Sequence, residues 1–404
     1  MGPMESDKSE LVKVVSLGYE KQLLQESKNQ AASDGANRRM VFASRIKTYT
    51  MVSLCRPPGF EEKTQGNIHV IPAVAKFTPL GMWRMYKTTA SLCKQNKINV
   101  IQTQEPSTTG LIGFWLKKKF KLPICICVYG PNPWDEHWRK SSLYNRIISP
   151  LAKRALQQAD RIIADGTLTI ESLKRAGIPE ERLTRKVNVP SNITSFAKTD
   201  GQPLRSELLG NNGKQLLLHV GNMTLQKNVP FLLKAFLGIS KQFPDALLVV
   251  VGKGKRAKKY HQMATKLGLD SKVIWAGAVP HQEIPTYFRA CDVCLMTSRF
   301  EGFPRVFVEA ASSGRPVVTT LVSGCNDGVV DNQNGFIVAQ GDMDSYVQRV
   351  CQLLSDPEKC QTMGQTGQSM MQELAAKRES YNHLQVDVWS QILASHEAGE
   401  ANVN

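Results

Sequence analysis

The chain has 404 residues, 42% of them hydrophobic, with 29 Gly and 20 Pro; it is too long for a single core and too apolar for a disordered chain. No apolar run reaches the roughly 18 to 20 residues a membrane-spanning helix needs, and the polar, charged opening residues read as no signal peptide. The net charge of +16 is uneven, with +14 in residues 1–200 and +2 in the rest, so positive potential gathers in the first half.

In chain order, short apolar runs predict strands over 11–16, 49–54, 100–102, 124–128 and 161–164. Apolar residues at helical spacing predict helices over 80–95, 110–120, 144–158 and 169–176. Pro, Ser, Asn and Gly then cluster over 189–213, which marks a boundary between domains 1–192 and 193–369. Beyond it, strands are predicted at 215–220, 246–251, 272–276, 293–297, 316–320 and 335–338. Helices at 230–242, 283–289, 307–313 and 344–355 separate most of them. Alternation at this interval predicts parallel sheets covered on both faces, an α/β chain of two Rossmann-like domains facing a cleft. A last helix over 370–394, with Trp389 and Leu393 on one face, has no strand after it and is free to pack on either domain. Ligands in open α/β sheets sit outside the carboxyl ends of the strands, so the chemistry is expected there.

Nine cysteines are an odd number spread over both halves, several of them inside apolar strand-like runs, which fits reduced thiols in a cytoplasmic protein. Cys291-x-x-Cys294 has zinc-ligand spacing, but no second Cys or His pair follows at a finger-like distance, so burial is the expected reading. Asn192-Ile-Thr and Asn222-Met-Thr match glycosylation acceptors and are taken as chance.

The most informative stretch runs from Thr297 to Val318. A strand ends near Ser298, a loop carries Glu301, Gly302 and Phe303, and Pro304 suits the first turn of a helix that carries Glu309. Two carboxylates thus frame a helix N-terminus, whose free N–H groups favour a phosphate. The two glutamates eight positions apart, set in EGFP and EAASSGRPVV, resemble the E-x7-E signature of the retaining glycosyltransferases of family four, which have the GT-B fold. The likeness continues in order through His219-Val-Gly-Asn-Met-Thr-Leu-Gln-Lys-Asn, Val249-Val-Val-Gly-Lys-Gly, Val273-Ile-Trp-Ala-Gly and Asn334-Gly-Phe-Ile-Val. It implies Glu301 at the transferred sugar's hydroxyls, Glu309 on the ribose, and the amides of Gly302, Phe303 and Arg305 on sugar or diphosphate.

After Gly221 the family usually places an arginine, and a lysine five residues later, to hold the donor pyrophosphate; here Lys227 is kept and Asn222 replaces the arginine. The leaving diphosphate gains charge in the transition state, so a lost cation costs a few kcal/mol of barrier unless another supplies it. Arg305 is either that replacement or a surface residue. Asp342-Met-Asp344 has the form of a metal-binding Asp-x-Asp, yet it follows Gly341 and precedes a helix, where it is more simply an N-cap. No metal and no other cofactor is expected.

The first half resembles a subset of the family with a glycine near the first strand and an early arginine, places filled by Gly18 and by Arg38 or Arg39. The Gln104–Gly113 stretch is similar to that subset too. Glu105 and Thr109 there are either cleft-edge residues or a strand end and helix cap. Relatives carry His-Gly after the fourth strand, whereas this chain has Tyr129-Gly130-Pro131-Asn132, with Tyr129 in the histidine's place. A phenol donates hydrogen bonds but is a poor general base at neutral pH. Asn132 and Asp165 are further polar groups expected on this acceptor side. The resemblance implies front-side displacement, in which the leaving phosphate oxygen takes the acceptor's proton.

Two basic segments, Met82-Trp-Arg-Met-Tyr-Lys and Phe114-Trp-Leu-Lys-Lys-Lys-Phe-Lys, place cations beside aromatic residues on predicted helices. Membrane-associated members of the family use such helices on an anionic inner-face membrane surface. The alternative is a core-facing stripe with solvated lysines opposite. No nucleic-acid-binding signature accompanies the charge, and no nucleic acid partner is expected. The resemblance therefore implies transfer of a hexose or similar sugar from a nucleotide sugar to a saccharide or lipid-linked acceptor. A degenerate protein that binds sugar or membrane without turnover is the competing class, motivated by Asn222, by Tyr129 and by the lone Gly18 where relatives carry a Gly-Gly loop.

Overall fold

The computed structural model describes residues 11–19, 39–130, 132–187, 189–190, 193–210 and 214–401; Arg38 and Asn192 lie outside them. Two compact units divide the chain: residues up to 188 together with Arg378 onward, and Val189–Lys377.

The first unit is built on β1 (Lys13–Gly18), β2 (Thr48–Cys55), β3 (Lys63–Gln65), β4 (Ile68–Val74), β5 (Val100–Thr103), β6 (Ile124–Val128), β7 (Arg161–Ala164) and β8 (Leu183–Arg185). Their order is β3-β4-β2-β1-β5-β6-β7-β8, parallel except for β3, which runs antiparallel to β4. Because successive side chains on a strand face opposite ways, β6 sends Ile124, Ile126 and Val128 into one core and Cys125 and Cys127 into another. The helices that follow its strands include α1 (Thr78–Lys94), α2 (Thr108–Phe120), α3 (Glu136–Lys140), α4 (Leu143–Gln157) and α5 (Thr167–Arg175). Met85, Leu111, Leu116 and Leu156 from α1, α2 and α4 fill the first core.

The second unit opens with α6 (Ile193–Lys198) and α7 (Gln202–Leu209). Then β9 (Gln215–Val220), α8 (Val229–Gln242), β10 (Ala246–Val251), α9 (Ala257–Lys266), β11 (Val273–Gly277), α10 (Ile284–Ala290), β12 (Val293–Met296), α11 (Arg305–Ser312), β13 (Val317–Thr320), β14 (Gly335–Val338), α12 (Met343–Ser355) and α13 (Pro357–Ala376) follow. The six-stranded sheet is all parallel, in the order β11-β10-β9-β12-β13-β14. α12 buries Tyr346, Val350, Leu353 and Leu354 on one face, and the Tyr346 hydroxyl lies 2.9 Å from the Val318 carbonyl oxygen.

The single helix expected over 370–394 is two helices. α13 ends at Ala376 and α14 (Arg378–Ala401) returns to the first unit, on the face of its sheet opposite α1 and α2. The break is where the buried side changes partner. Gly364 and Met371 of α13 are buried in the second unit, while Val386, Trp389, Ile392 and Leu393 join the second core of the first unit. Trp389 is fully buried, packs edge-on to Phe42 and donates its indole N–H to Gln102 Oε1 at 2.7 Å. That bond satisfies the one polar atom of a large apolar side chain.

Candidate active site

In the second unit, the loops that follow β9 and β12 are tied together. Arg299 N donates to the Gln226 carbonyl at 2.8 Å, Gln226 Nε2 to the Phe300 carbonyl at 3.0 Å, and Thr297 Oγ1 to the Lys227 carbonyl at 3.0 Å. These bonds bring Lys227 Nζ to 2.6 Å from Glu301 Oε1, a pair in which both side chains are largely buried. The aliphatic stem of Lys227 runs over Gly221, where an added Cβ would meet its Cδ and Cε at 3.2 Å. The glycine there is a matter of room. Gly324, after β13, is likewise a matter of room, because a Cβ there would overlap the Gly302 carbonyl oxygen.

Pro304 is the N-cap residue of α11 rather than a residue of its first turn, and among the described residues no side chain caps the helix. In the first turn Phe307 N donates to the Pro304 carbonyl at 3.1 Å, so backbone rather than a side chain closes the start of α11. Glu309, on the same helix, is 6% exposed. Arg305 Nε lies 3.6 Å and His281 Nε2 3.7 Å from its Oε1. His281 was not singled out from sequence, since it is far from the motif in the chain and stands beside no recognisable pattern. Asn222 is exposed, and its neighbour Met223 donates its N–H to the Lys253 carbonyl at 3.0 Å. The loop Lys253-Gly-Lys-Arg256 after β10 therefore abuts the position that lacks the family's arginine. Gly254 permits this approach, as a Cβ there would lie 2.6 Å from the Met223 carbonyl oxygen.

Beneath these loops, at the end of β9, His219 is fully buried and its Nδ1 lies 2.9 Å from the Leu295 carbonyl oxygen. Nδ1 is therefore the protonated nitrogen. Burial holds the imidazole down at about 4, against the opposing effect of that hydrogen bond. It is neutral at pH 7.

In the first unit, the corresponding strand ends carry Gly18, Gln104, Glu105, Tyr129 and Asp165. Gly18 is required by the Gln104 amide, which occupies the place a Cβ would take. Glu105 accepts from Thr109 N at 2.5 Å, Ser107 N at 2.6 Å and Thr108 N at 3.2 Å, and also from the Ser107 hydroxyl. It is the cap of α2, with Thr109 buried in the first turn. The side chain of Asn132 closes a turn, its Oδ1 accepting from Trp134 N at 2.9 Å and its Nδ2 donating to Ser172 Oγ at 3.3 Å. The ring of Tyr129 packs against the core that includes Trp389, and its hydroxyl donates to Gln385 Oε1 of α14 at 3.4 Å. Burial, then the nearby Cys127, pushes this phenol well above its ordinary range. Asp165, at the end of β7, and Arg39 are both buried.

Asp342 caps α12, accepting from Ser345 N at 3.0 Å. Cys291 and Cys294 are buried in the second unit, and burial pushes the Cys291 thiol up to about 12. Of the basic segments, Lys117 is bound to Asp160 at 2.6 Å, whereas Lys87, Lys118 and Lys119 lie over the rings of Trp83, Phe114 and Tyr86. Trp83 and Trp115 are 53% and 45% exposed. α4 adds an unforeseen exposed row one turn apart: Leu143, Ile147 and Leu151. α1 packs on α2, and α2 on α4. Among the described residues no helix is long and apolar enough to cross a membrane.

Residues 47–185 match the model of Glycosyltransferase Family 4, and residues 202–370 that of Glycosyl transferases group 1. An uncharacterized glycosyltransferase of Methanocaldococcus jannaschii is 25% identical over 78% of this chain and 83% of its own length. The alpha-monoglucosyldiacylglycerol synthase of Streptococcus pneumoniae is 23% identical over 58% of this chain and 55% of its own. The crystal structure of Anabaena HepE in complex with UDP superposes with a TM-score of 0.70 at 18% identity, over 94% of this chain and all of that one.

Proposed function

Because the chain belongs to the family-four glycosyltransferases and has their GT-B fold, we propose that it moves a hexose from a nucleoside-diphosphate sugar to a saccharide or lipid-linked acceptor, with retention of configuration. The observation that carries this reading is the buried Lys227–Glu301 pair, whose glutamate stands four residues ahead of the start of α11. On binding, the donor diphosphate takes Lys227 at the positive end of α11, which releases Glu301 to the hydroxyls of the transferred sugar. Glu309 accepts from the ribose hydroxyls. The acceptor oxygen attacks the anomeric carbon from the face the diphosphate leaves. As the new C–O bond forms and the C–O bond to phosphate breaks, the acceptor's proton passes to the departing phosphate oxygen. No protein nucleophile is needed.

Preorganised cations at the leaving group supply the catalysis. Lys227 is one, and we propose that Lys253, whose backbone lies beside Asn222, supplies the charge of the missing arginine. We assign no metal to the step, since Asp342 of the Asp-x-Asp is engaged as a helix cap and charge neutralisation rests with these cations. Tyr129 acts as a hydrogen-bond donor only, its phenol being held far from titration at neutral pH. The relatives support nucleotide and acceptor classes rather than identities: HepE binds UDP, and the streptococcal synthase makes a glycolipid. A lipid-linked acceptor fits the exposed Trp83, Trp115 and α4 row with the lysines among them, which we propose rest on an anionic, cytoplasm-facing membrane surface. The test of the reaction is the anomer first released when UDP-, GDP- or ADP-hexoses are hydrolysed by the enzyme, followed by NMR. The donor's own configuration is expected. The opposite anomer would refute retention.

A further inference from the structure

A second polar cavity lies in the second unit at the opposite, amino-terminal ends of the strands. It measures about 610 Å3, within the range of small-molecule sites. Arg205, Arg289 and Arg315 line it, together with Gln361, Gln365 and Gln368, which are spaced to share one face of α13. Its charges do not cancel. Arg205 is matched by Asp292, Nη1 to Oδ1 at 2.9 Å and Nη2 to Oδ2 at 3.0 Å, and Lys214 at the rim pairs with Asp245 at 3.0 Å. Arg289 and Arg315 have no ion pair among the described residues. Arg289 donates Nε to the Thr199 carbonyl at 3.1 Å and Nη1 to the Ser313 carbonyl at 3.0 Å, and Arg315 donates Nη2 to the Arg289 carbonyl at 2.6 Å. Nε of Arg315 is buried with no partner.

Two guanidiniums are thus held side by side by neutral carbonyls, and their repulsion is visible in Arg289, whose charged form is disfavoured first by burial and then by Arg315, against a weaker pull from Asp200. Such an arrangement costs stability unless an anion completes it. We infer that this cavity binds the phosphoryl group of a small phosphorylated metabolite, the arginines taking its oxygens and the glutamine amides its polar remainder. A dianion cancels both uncompensated charges, which a monocarboxylate cannot, and planar guanidinium suits phosphate oxygens. The site is independent of the donor loops, which leave the other ends of β9 and β12. It has a mechanical link to them all the same. α11 carries Glu309, and at its far end Gln368 Nε2 holds the Ser312 carbonyl at 3.2 Å while Arg289 holds that of Ser313.

Isothermal titration of the full chain with inorganic phosphate, glucose 6-phosphate and fructose 1,6-bisphosphate tests this, each also run against Lys227→Ala and against Gln361→Glu/Gln365→Glu. Both glutamines are exposed and make no hydrogen bond among the described residues, so the double variant keeps the fold while placing negative charge in the cavity. Wild type and Lys227→Ala are expected to bind a phosphorylated sugar equally. The double variant should lose about tenfold or more, the scale of one charge-assisted contact. Arg315→Gln should lose at least as much, and the glutamine pair keeps the test intact should that variant fold poorly. Inorganic phosphate binding as tightly as the sugars identifies free phosphate as the occupant. Absence of binding by all three probes, or binding lost in Lys227→Ala and kept in the double variant, overturns the inference.

Discussion

The strand ends of the two units carry similar polar residues put to different uses. In the second unit the polar side chains hold one another: Lys227 pairs with Glu301, and Glu309 sits with His281 and Arg305. In the first unit the fold absorbs them, Glu105 as a helix cap, Asn132 in a turn and Tyr129 against α14. The difference teaches that polar residues at the carboxyl ends of parallel strands differ in what they hold, some a helix start or turn and others a side chain from a neighbouring loop.

That contrast is open to breakage by substitution. The largest effect is expected at Lys227→Ala, which should lower donor turnover about 100- to 1000-fold, the scale of removing one preorganised donor at a developing charge. Donor-hydrolysis rates measure it, and a rate near wild type would erase the distinction between the units. His219 comes next. In the unfolded chain its imidazole gains a proton as pH falls through about 6.5, whereas in the native state it does so only near 4. Stability present at neutral pH is therefore lost progressively between those values, by up to about 3 kcal/mol. Urea unfolding across that window should show the loss, and His219→Asn, which keeps a donor for the Leu295 carbonyl, should flatten it. An unchanged slope in the variant would mean another group titrates.

Smaller effects belong to the first unit. Glu105→Ala should cost about 1 to 2 kcal/mol of stability, as loss of a helix cap does, with donor turnover per folded molecule unaltered. A larger fall in turnover than in stability would return Glu105 to the site. Tyr129→Phe should change turnover by less than about tenfold, since its hydroxyl is engaged with Gln385 and contributes at most one hydrogen bond.

The second unit was legible in the sequence because its signals are local and mutually consistent. Apolar runs become strands, and the loop and helix from Glu301 to Glu309 keep their order in space. What was missed has physical causes. β4 contains Pro72, which argues against a strand, yet β3 pairs only with residues 68–70, so Pro72 has a strand on one side alone. β3 and β8 span three residues each, too few for periodicity to register. The break at Lys377 was invisible because both helices continue a plausible helical pattern while burying their faces in different cores. His281 reaches Glu309, and the arginines reach their cavity, through tertiary contacts between residues far apart in sequence, which spacing does not encode. Helical spacing predicts α4 but not its exposed row, because periodicity shows that an apolar face exists and not whether it is covered.

The central claim, that the loops after β9 and β12 with α11 grip a nucleoside diphosphate, is tested most directly by calorimetric titration of UDP, GDP and ADP into wild type, Lys227→Ala, Glu309→Ala and Glu105→Gln. One nucleotide is expected to bind wild type and Glu105→Gln alike and to weaken by about tenfold or more in Lys227→Ala and Glu309→Ala. Equal affinity in all four proteins, or no binding of any nucleotide, would contradict the account.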